Sequence, residues 1–429
     1  MNNYKVFIKS NKKTIINILW RFIEVFSKQG IPFIIFILAS INLNNYDLGI
    51  YSYTLAIISL IVLFSDFGIS FSTSKFVAEY TESSKEKIPY VFFNATLPIF
   101  ILSIIIFIIF IIFGKQWFGD NVNNIYIVLP LILIAPANGV LDGIYRGLDK
   151  FKKLSLSTVL AGIISIVLSY ILVTKIGLFG ALLSQLLFNF LIFIFLIIGL
   201  EKIHFKLNKK IIVDIGKYAF LIGISGIGAF LFSRVDIIFL GNYSYFTEIG
   251  YYEVIFKILT LILIPFSVIA QVLSPEITKS YVNNNHKLII KKFKLLLIFT
   301  FLSAVIISGS LFFAQNIVFH FLSKFDTQEM RIMYNAMLIV YFTQILVSII
   351  PTAFSYAVGN AKLNMIFLII FGCLNTVLDY LFINIFGAIG IIYASVVTKL
   401  LSDFLFTYFC YIGLLRKIET KHDNIHVPL

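Results

Sequence analysis

The sequence predicts an all-helical protein that crosses a membrane twelve times, as two six-helix lobes around a central cavity. Three observations carry this. Of the 429 residues, 59% are hydrophobic and only 13% charged, a balance that a soluble globular domain does not hold. Apolar runs long enough to cross a bilayer follow one another from end to end, leaving no polar connection with room for an extramembrane catalytic domain. Finally, landmarks of the first half recur in the second.

Taken in order, the spans are expected at 15–42, 48–70, 89–113, 122–146, 155–174 and 178–200, then at 217–241, 248–274, 292–314, 332–357, 363–383 and 387–413. The first is the most informative. It opens on lysines (Lys5, Lys9, Lys12, Lys13) like a signal peptide, but its apolar run is too long, carries charges and lacks a small-residue cleavage site. Arg21, Glu24 and Lys28 fall on one stripe about 60° wide at roughly 100° per residue. Three charges near mid-bilayer cost on the order of 8–10 kcal/mol. The apolar residues beside them, at roughly −0.3 to −0.6 kcal/mol each, about cancel that. The helix must therefore turn this stripe toward other helices or a wet cavity. Gly30 and Pro32 mark a hinge, because proline removes a backbone hydrogen bond.

Orientation follows from the basic residues. If the spans alternate as drawn, 25 of the 34 Lys and Arg lie in loops on one side, including Lys75, Lys85, Arg146, Lys150, Lys202, Lys210, Lys287, Lys362, Arg416, Lys417 and Lys421. Lys115, Lys175, Lys324 and Arg331 are on the other. The positive-inside rule makes the first side, with both termini, cytoplasmic. The net charge of +13 is thereby a topology signal, and no nucleic-acid partner is expected.

The halves are related. Asp47-Leu48-Gly49-Ile50-Tyr51 before span two matches Glu248-Ile249-Gly250-Tyr251-Tyr252 before span eight. Gly177-Leu178-Phe179-Gly180-Ala181 matches Gly387-Ala388-Ile389-Gly390-Ile391. Two matches in order define a six-plus-six duplication: an N-terminal lobe 1–200, a cytoplasmic linker 201–216 and a C-terminal lobe 217–429. Because six is even, the repeats are parallel and spans one and seven are counterparts.

Span seven carries Arg234 and Asp236, which point about 200° apart and cannot satisfy one another. Arg234 is expected to face the cavity, with Asp236 as a complement to a charge on another helix or a coupling-ion ligand. Glu253 and Lys257, and likewise Lys399 and Asp403, are spaced as self-paired helical neighbours. Asp379 sits near the outer end of its span, and Asp66 and Asp142 near the cytoplasmic boundary, where a structural cap or loop contact suffices. Cys373 and Cys410 read as packing thiols without metal-ligand spacing. Asp66-Phe67-Gly68 ends an apolar span and has no kinase meaning, and no GxxxxGK[ST] phosphate loop exists, so neither a nucleotide nor another cofactor is expected.

Asn42–Gly49 after the aliphatic first span, Gly49-Ile50-Tyr51, Asp66-Phe67-Gly68 with Phe76-Val77-Ala78-Glu79, and Tyr145-Arg146-Gly147 with Lys150-Phe151-Lys152 together form a pattern. It resembles the polysaccharide exporters of the multidrug/oligosaccharidyl-lipid/polysaccharide (MOP) superfamily, among them the Wzx-type O-antigen flippases. The resemblance implies a multi-pass protein of the bacterial cytoplasmic membrane that is not an enzyme. It would move an undecaprenyl-pyrophosphate-linked oligosaccharide between leaflets by alternating access, for O-antigen (lipopolysaccharide) or capsule. Its partners would be that substrate, membrane lipids, H+ or Na+ as coupling ion, and polysaccharide assembly proteins. Pyrophosphate needs cationic donors, so Arg21, Lys28, Arg234, Lys257 and Lys399 are the candidate substrate-binding residues. Glu24, Asp236 and Glu253 are candidates for positioning them or coupling an ion. The rivals are a cation-coupled multidrug antiporter of the same superfamily, whose site should be more acidic, and a membrane polysaccharide polymerase, which should show a large outer loop.

Overall fold

A computed structural model describes residues 2–200, 203–283, 285–356 and 361–423. The chain forms two compact units, Met1–Ile227 and Gly228–Leu429, and the described residues are almost entirely helical. Ten stretches among them are long and apolar enough to cross a membrane. One of these holds two spans, and a further span is built from two shorter helices, which makes twelve among the described residues; the boundary between the units falls inside the seventh, within Lys209–Ser233. Glu201 and Lys202, at the start of the expected linker, and the side chains of Lys5, Lys9, Lys12, Lys13, Arg416, Lys417 and Lys421 lie outside the described residues.

In the first unit, α1 (Asn2–Asn42) runs unbroken through Gly30 and Pro32. Asn44 then caps α2 (Asn45–Asp66), its side chain accepting from the Asp47 amide. The connection between the second and third expected spans is itself largely helical. α2 stops at Phe67, which is left-handed (φ 37°), and a second helix, α3 (Ile69–Ser83), begins at once. Asp66 anchors that start, accepting from the amides of Gly68 (3.2 Å) and Ser70 (3.1 Å), the cap its boundary position suggested.

α3 packs on α6 (Leu131–Gly147), the second part of a broken span begun by α5 (Val122–Val128). Gly139, Gly143 and Gly147 form a small-residue stripe on α6 against α3. A Cβ on Gly143 would meet the Ser70 carbonyl at 2.7 Å, and one on Gly147 the Val77 Cβ at 2.7 Å. α4 (Ile88–Phe118) turns Ile104, Ile108 and Ile111 outward, an arrangement costly in water and favourable against hydrocarbon. α7 (Phe151–Ile198) is 48 residues long but leaves helical geometry at Ile176 and Gly177, which divides it into spans five and six. α8 (Lys209–Ser233) follows a segment strapped to α4 by Asn94, which donates to the Lys206 carbonyl at 3.0 Å and accepts from the Asn208 amide at 2.7 Å.

The second unit contains α9 (Val235–Asn242), α10 (Phe246–Val282), α11 (His286–Phe313), α12 (Gln315–Phe321) and α13 (Gln328–Val347). A π-helical stretch, Pro351–Tyr356, precedes α14 (Ala361–Phe386) and α15 (Ala388–Asp423). Its core gathers Phe266, Phe293, Phe354, Phe406 and Cys410. Cys410 is the packing thiol expected, whereas Cys373 is exposed.

The duplication is visible in backbone geometry. Gly177 (φ 55°) and Gly387 (φ 66°) both take the left-handed conformation at the break between the last two spans of their units, which a side chain would oppose. Three residues on, a Cβ at Gly180 would strike the Leu172 carbonyl, and one at Gly390 the Phe382 carbonyl. The matched sequences thus make the same tight turn twice.

Candidate functional site

The first charged cluster lies in the first unit, where α1 meets α6. Glu24 is buried, at 1% exposure, and both basic residues of its stripe converge on it. Arg21 Nη1 pairs with one carboxylate oxygen and Lys28 Nζ with the other at 2.7 Å. Asp142 joins them from α6: Lys28 Nζ lies 2.9 Å from its Oδ1, Arg21 Nη1 3.9 Å, and Arg146 Nη2 2.7 Å from its Oδ2. The boundary-cap role expected of Asp142 is therefore wrong. The glycine stripe brings α3 against one face of α6 and leaves Asp142 and Arg146, one turn apart, on another, opposite α1. Three cations against two carboxylates leave one positive charge in excess. Arg21 and Lys28 remain about 30% exposed while the acids are buried, so the basic side chains are the accessible part of the cluster.

The second cluster stands at the break between α8 and α9. Arg234 has non-helical φ/ψ (−139°, −12°) there, which swings its guanidinium toward α10. It pairs with Glu253 at 2.5 Å and lies 4.6 Å from the centroid of the Phe256 ring. Lys257 approaches the other Glu253 oxygen at 4.0 Å. Again a buried carboxylate sits between two partly exposed cations, with one positive charge in excess.

Asp236 points away from Arg234, as their spacing required, into a separate buried cluster. Its Oδ2 accepts from Tyr252 Oη (2.6 Å) and Ser395 Oγ (2.8 Å), and its Oδ1 from Asn375 Nδ2 (2.8 Å). Asn375 also donates to Asp379 Oδ2 at 3.0 Å. Asp379, expected at the interface, is fully buried: it lies one helical turn beyond Asn375 and shares the α14 face turned to Asp236. Lys399 is not paired with Asp403 as its spacing suggested. Its ammonium donates to the Phe232 carbonyl at 2.9 Å and lies 4.1 Å from the Phe232 ring centroid, within the field of Asp236, Asp379 and Asp403. Asp379 Oδ1 and Asn375 Oδ1 are buried and accept no hydrogen bond.

The five cations named from the sequence are thus divided between three places, and Arg21, Lys28 and Arg234 all carry carboxylate partners. The sequence reading placed Asp142 and Asp379 at membrane boundaries and Arg146 in a loop, and gave no site role to Tyr252, Asn375 or Ser395, all members of these clusters. The Gly139-x3-Gly143-x3-Gly147 spacing would have oriented α6, and Asn375 and Asp379 one turn apart would have flagged α14. Among the described residues, no group of three or more His, Cys, Asp or Glu side chains is placed to hold a metal ion.

A family model described as "Polysaccharide biosynthesis protein" matches residues 15–281. The chain is 25% identical to an uncharacterized membrane protein of Methanocaldococcus jannaschii, over 91% of this chain and 96% of that protein. Its fold is similar to that of a multidrug resistance MATE family transporter of the MOP superfamily in an inward-facing conformation, with a TM-score of 0.73 at 16% identity, over 91% of this chain and 96% of that one. It is equally similar to the lipid II flippase MurJ in an inward closed conformation, with a TM-score of 0.73 at 17% identity, over 96% and 94%.

Proposed function

The chain belongs to the polysaccharide biosynthesis protein family, and on that premise we propose that it is a flippase moving a polyprenyl-pyrophosphate-linked oligosaccharide across the cytoplasmic membrane, for O-antigen, capsule or a related surface polymer. The observation that carries this reading is the cationic excess set in both units. Arg21 and Lys28 around Glu24, and Arg234 and Lys257 around Glu253, each set two partly exposed basic side chains around a buried acid. A pyrophosphate esterified at both ends is a doubly charged oxyanion with bidentate acceptors, and guanidinium geometry suits it. In this reading Glu24, Asp142 and Glu253 hold the cations in place between substrates, and the incoming phosphate exchanges with carboxylate oxygens. Gly30 and Pro32 give α1 a point at which to flex as access alternates.

The Asp236 cluster fits a coupling role. Asp236 and Asp379 bring two negative charges into the bilayer against the single ammonium of Lys399, and an unbalanced buried charge is costly. A proton, or a sodium ion held by Asp236, Asp379 and the Asn375 and Ser395 oxygens, would neutralise it. The same acidic pair also favours the second reading, a cation-coupled drug antiporter.

The test is polyprenyl-linked repeat-unit flux in sealed vesicles, with complementation of a deletion strain. Arg21→Ala and Arg234→Ala should each reduce flux at least tenfold while the protein still reaches the membrane. Full flux in both variants refutes the cationic-cluster mechanism. A deletion that leaves lipid-linked intermediates unchanged and alters drug sensitivity instead supports the antiporter.

A further inference from the structure

A cavity of about 240 Å³ opens in the first unit, lined by none of the residues of the charged clusters. It lies where α4 begins, α6 ends, α7 begins and the chain leaves α7, four points that the order of the spans places on one membrane face. Ile88 and Phe92 form one apolar wall, Ile144 and Leu148 the other, with Lys85 and Lys150 beside them. Its far wall is built rather than collapsed: Tyr145 Oη donates to the Leu196 carbonyl at 2.9 Å, and Lys153 Nζ donates to the Gly199 carbonyl. The Lys150 amide is held by the Tyr145 carbonyl at 2.9 Å.

We infer that this cavity is a binding site for one anionic membrane phospholipid. Two lysines among the lining residues of an apolar slot match a phosphodiester headgroup continuous with an acyl chain. A free phosphate would leave the apolar walls unused, and a zwitterionic lipid would bring its own cation toward the lysines. The volume accommodates the headgroup and the first carbons of a chain, and is too small for an oligosaccharide. Diffuse attraction to lysines on a membrane face would not need a cavity, and this difference makes the site testable. The inference stands independently of the proposed transport activity.

The experiment is native mass spectrometry of the full-length protein with phosphatidylglycerol or phosphatidylcholine added, read as the fraction carrying one lipid. Phosphatidylglycerol should be retained at least tenfold more tightly. Lys85→Ala with Lys150→Ala should reduce that affinity about 25-fold, roughly fivefold for each lysine. Leu148→Trp, which fills the slot and keeps both charges, should reduce it comparably. Lys209→Ala with Lys210→Ala removes two exposed charges outside the cavity and should change it less than twofold. Equal retention of both lipids, equal losses in the two double variants, full binding in Leu148→Trp, or displacement of the lipid by millimolar inorganic phosphate would each overturn the assignment. All four proteins are compared at matched helix content and monodispersity, so a folding defect is read separately.

Discussion

Asp142→Asn is the sharpest probe of how the first unit holds its charges. The wild-type carboxylate faces Lys28 at 2.9 Å and Arg146 at 2.7 Å. At an effective dielectric of about 20, each contact is worth roughly 6 kcal/mol of Coulomb attraction before desolvation is subtracted. Removing one member of a fully buried pair typically costs about 3–5 kcal/mol. Here Lys28 is 32% and Arg146 18% exposed, so water takes up part of the freed charge and the amide retains one hydrogen bond; the expected cost is about 2–3 kcal/mol. The cluster also rises from one to two unbalanced positive charges. In detergent, with roughly 2.1 cal/mol/K of unfolding entropy per residue, the thermal unfolding midpoint of the 429-residue chain should fall by about 2–3 °C. In a double-mutant cycle with Lys28→Met, the two changes should couple by about 1 kcal/mol or more, because each removes the other's partner. An Asp142→Asn protein that melts within about 1 °C of wild type, with no coupling to Lys28, would refute the claim that α6 and α1 are joined through this acid.

Three further outcomes follow from the geometry. Asp379→Asn removes the excess negative charge of the Asp236 cluster, so transport should lose its dependence on sodium or on the proton gradient while the protein remains folded; a cation dependence identical to wild type would exclude this pair as the coupling site. Gly387→Ala forces a side chain into the left-handed turn between α14 and α15 and should cost about 1–3 kcal/mol in chemical unfolding, and Gly177→Ala should do the same in the first unit. Arg331 donates to both oxygens of Asp326, at 2.7 and 3.0 Å, and holds that carboxyl below its usual value of 3.8; a lowered folded pKa stabilises above the unfolded value and is lost as pH falls, so Asp326→Asn should narrow the difference in melting midpoint between pH 7 and pH 3.

What the linear chain determined by itself was everything set by transfer free energy and by backbone sterics. Apolar runs of bilayer length specify helices in lipid whatever they pack against, so the spans and the doubled order were legible. Gly177 and Gly387 marked equivalent turns, because positive φ is a property of the residue. The stripe of Arg21, Glu24 and Lys28 was also legible, since helical pitch alone places those side chains together. The partners were not. Whether Lys399 reaches Asp403 or the Phe232 carbonyl, and whether Asp142 caps a loop or binds Lys28, depends on how one helix is rotated against its neighbours. Small-residue stripes set that rotation through close backbone approach, as at Gly139, Gly143 and Gly147. Tyr51 and Tyr252 make the point together. They occupy matched positions, yet one accepts from Gln185 and the other donates to Asp236, because a buried polar group takes whatever partner the tertiary packing brings within reach.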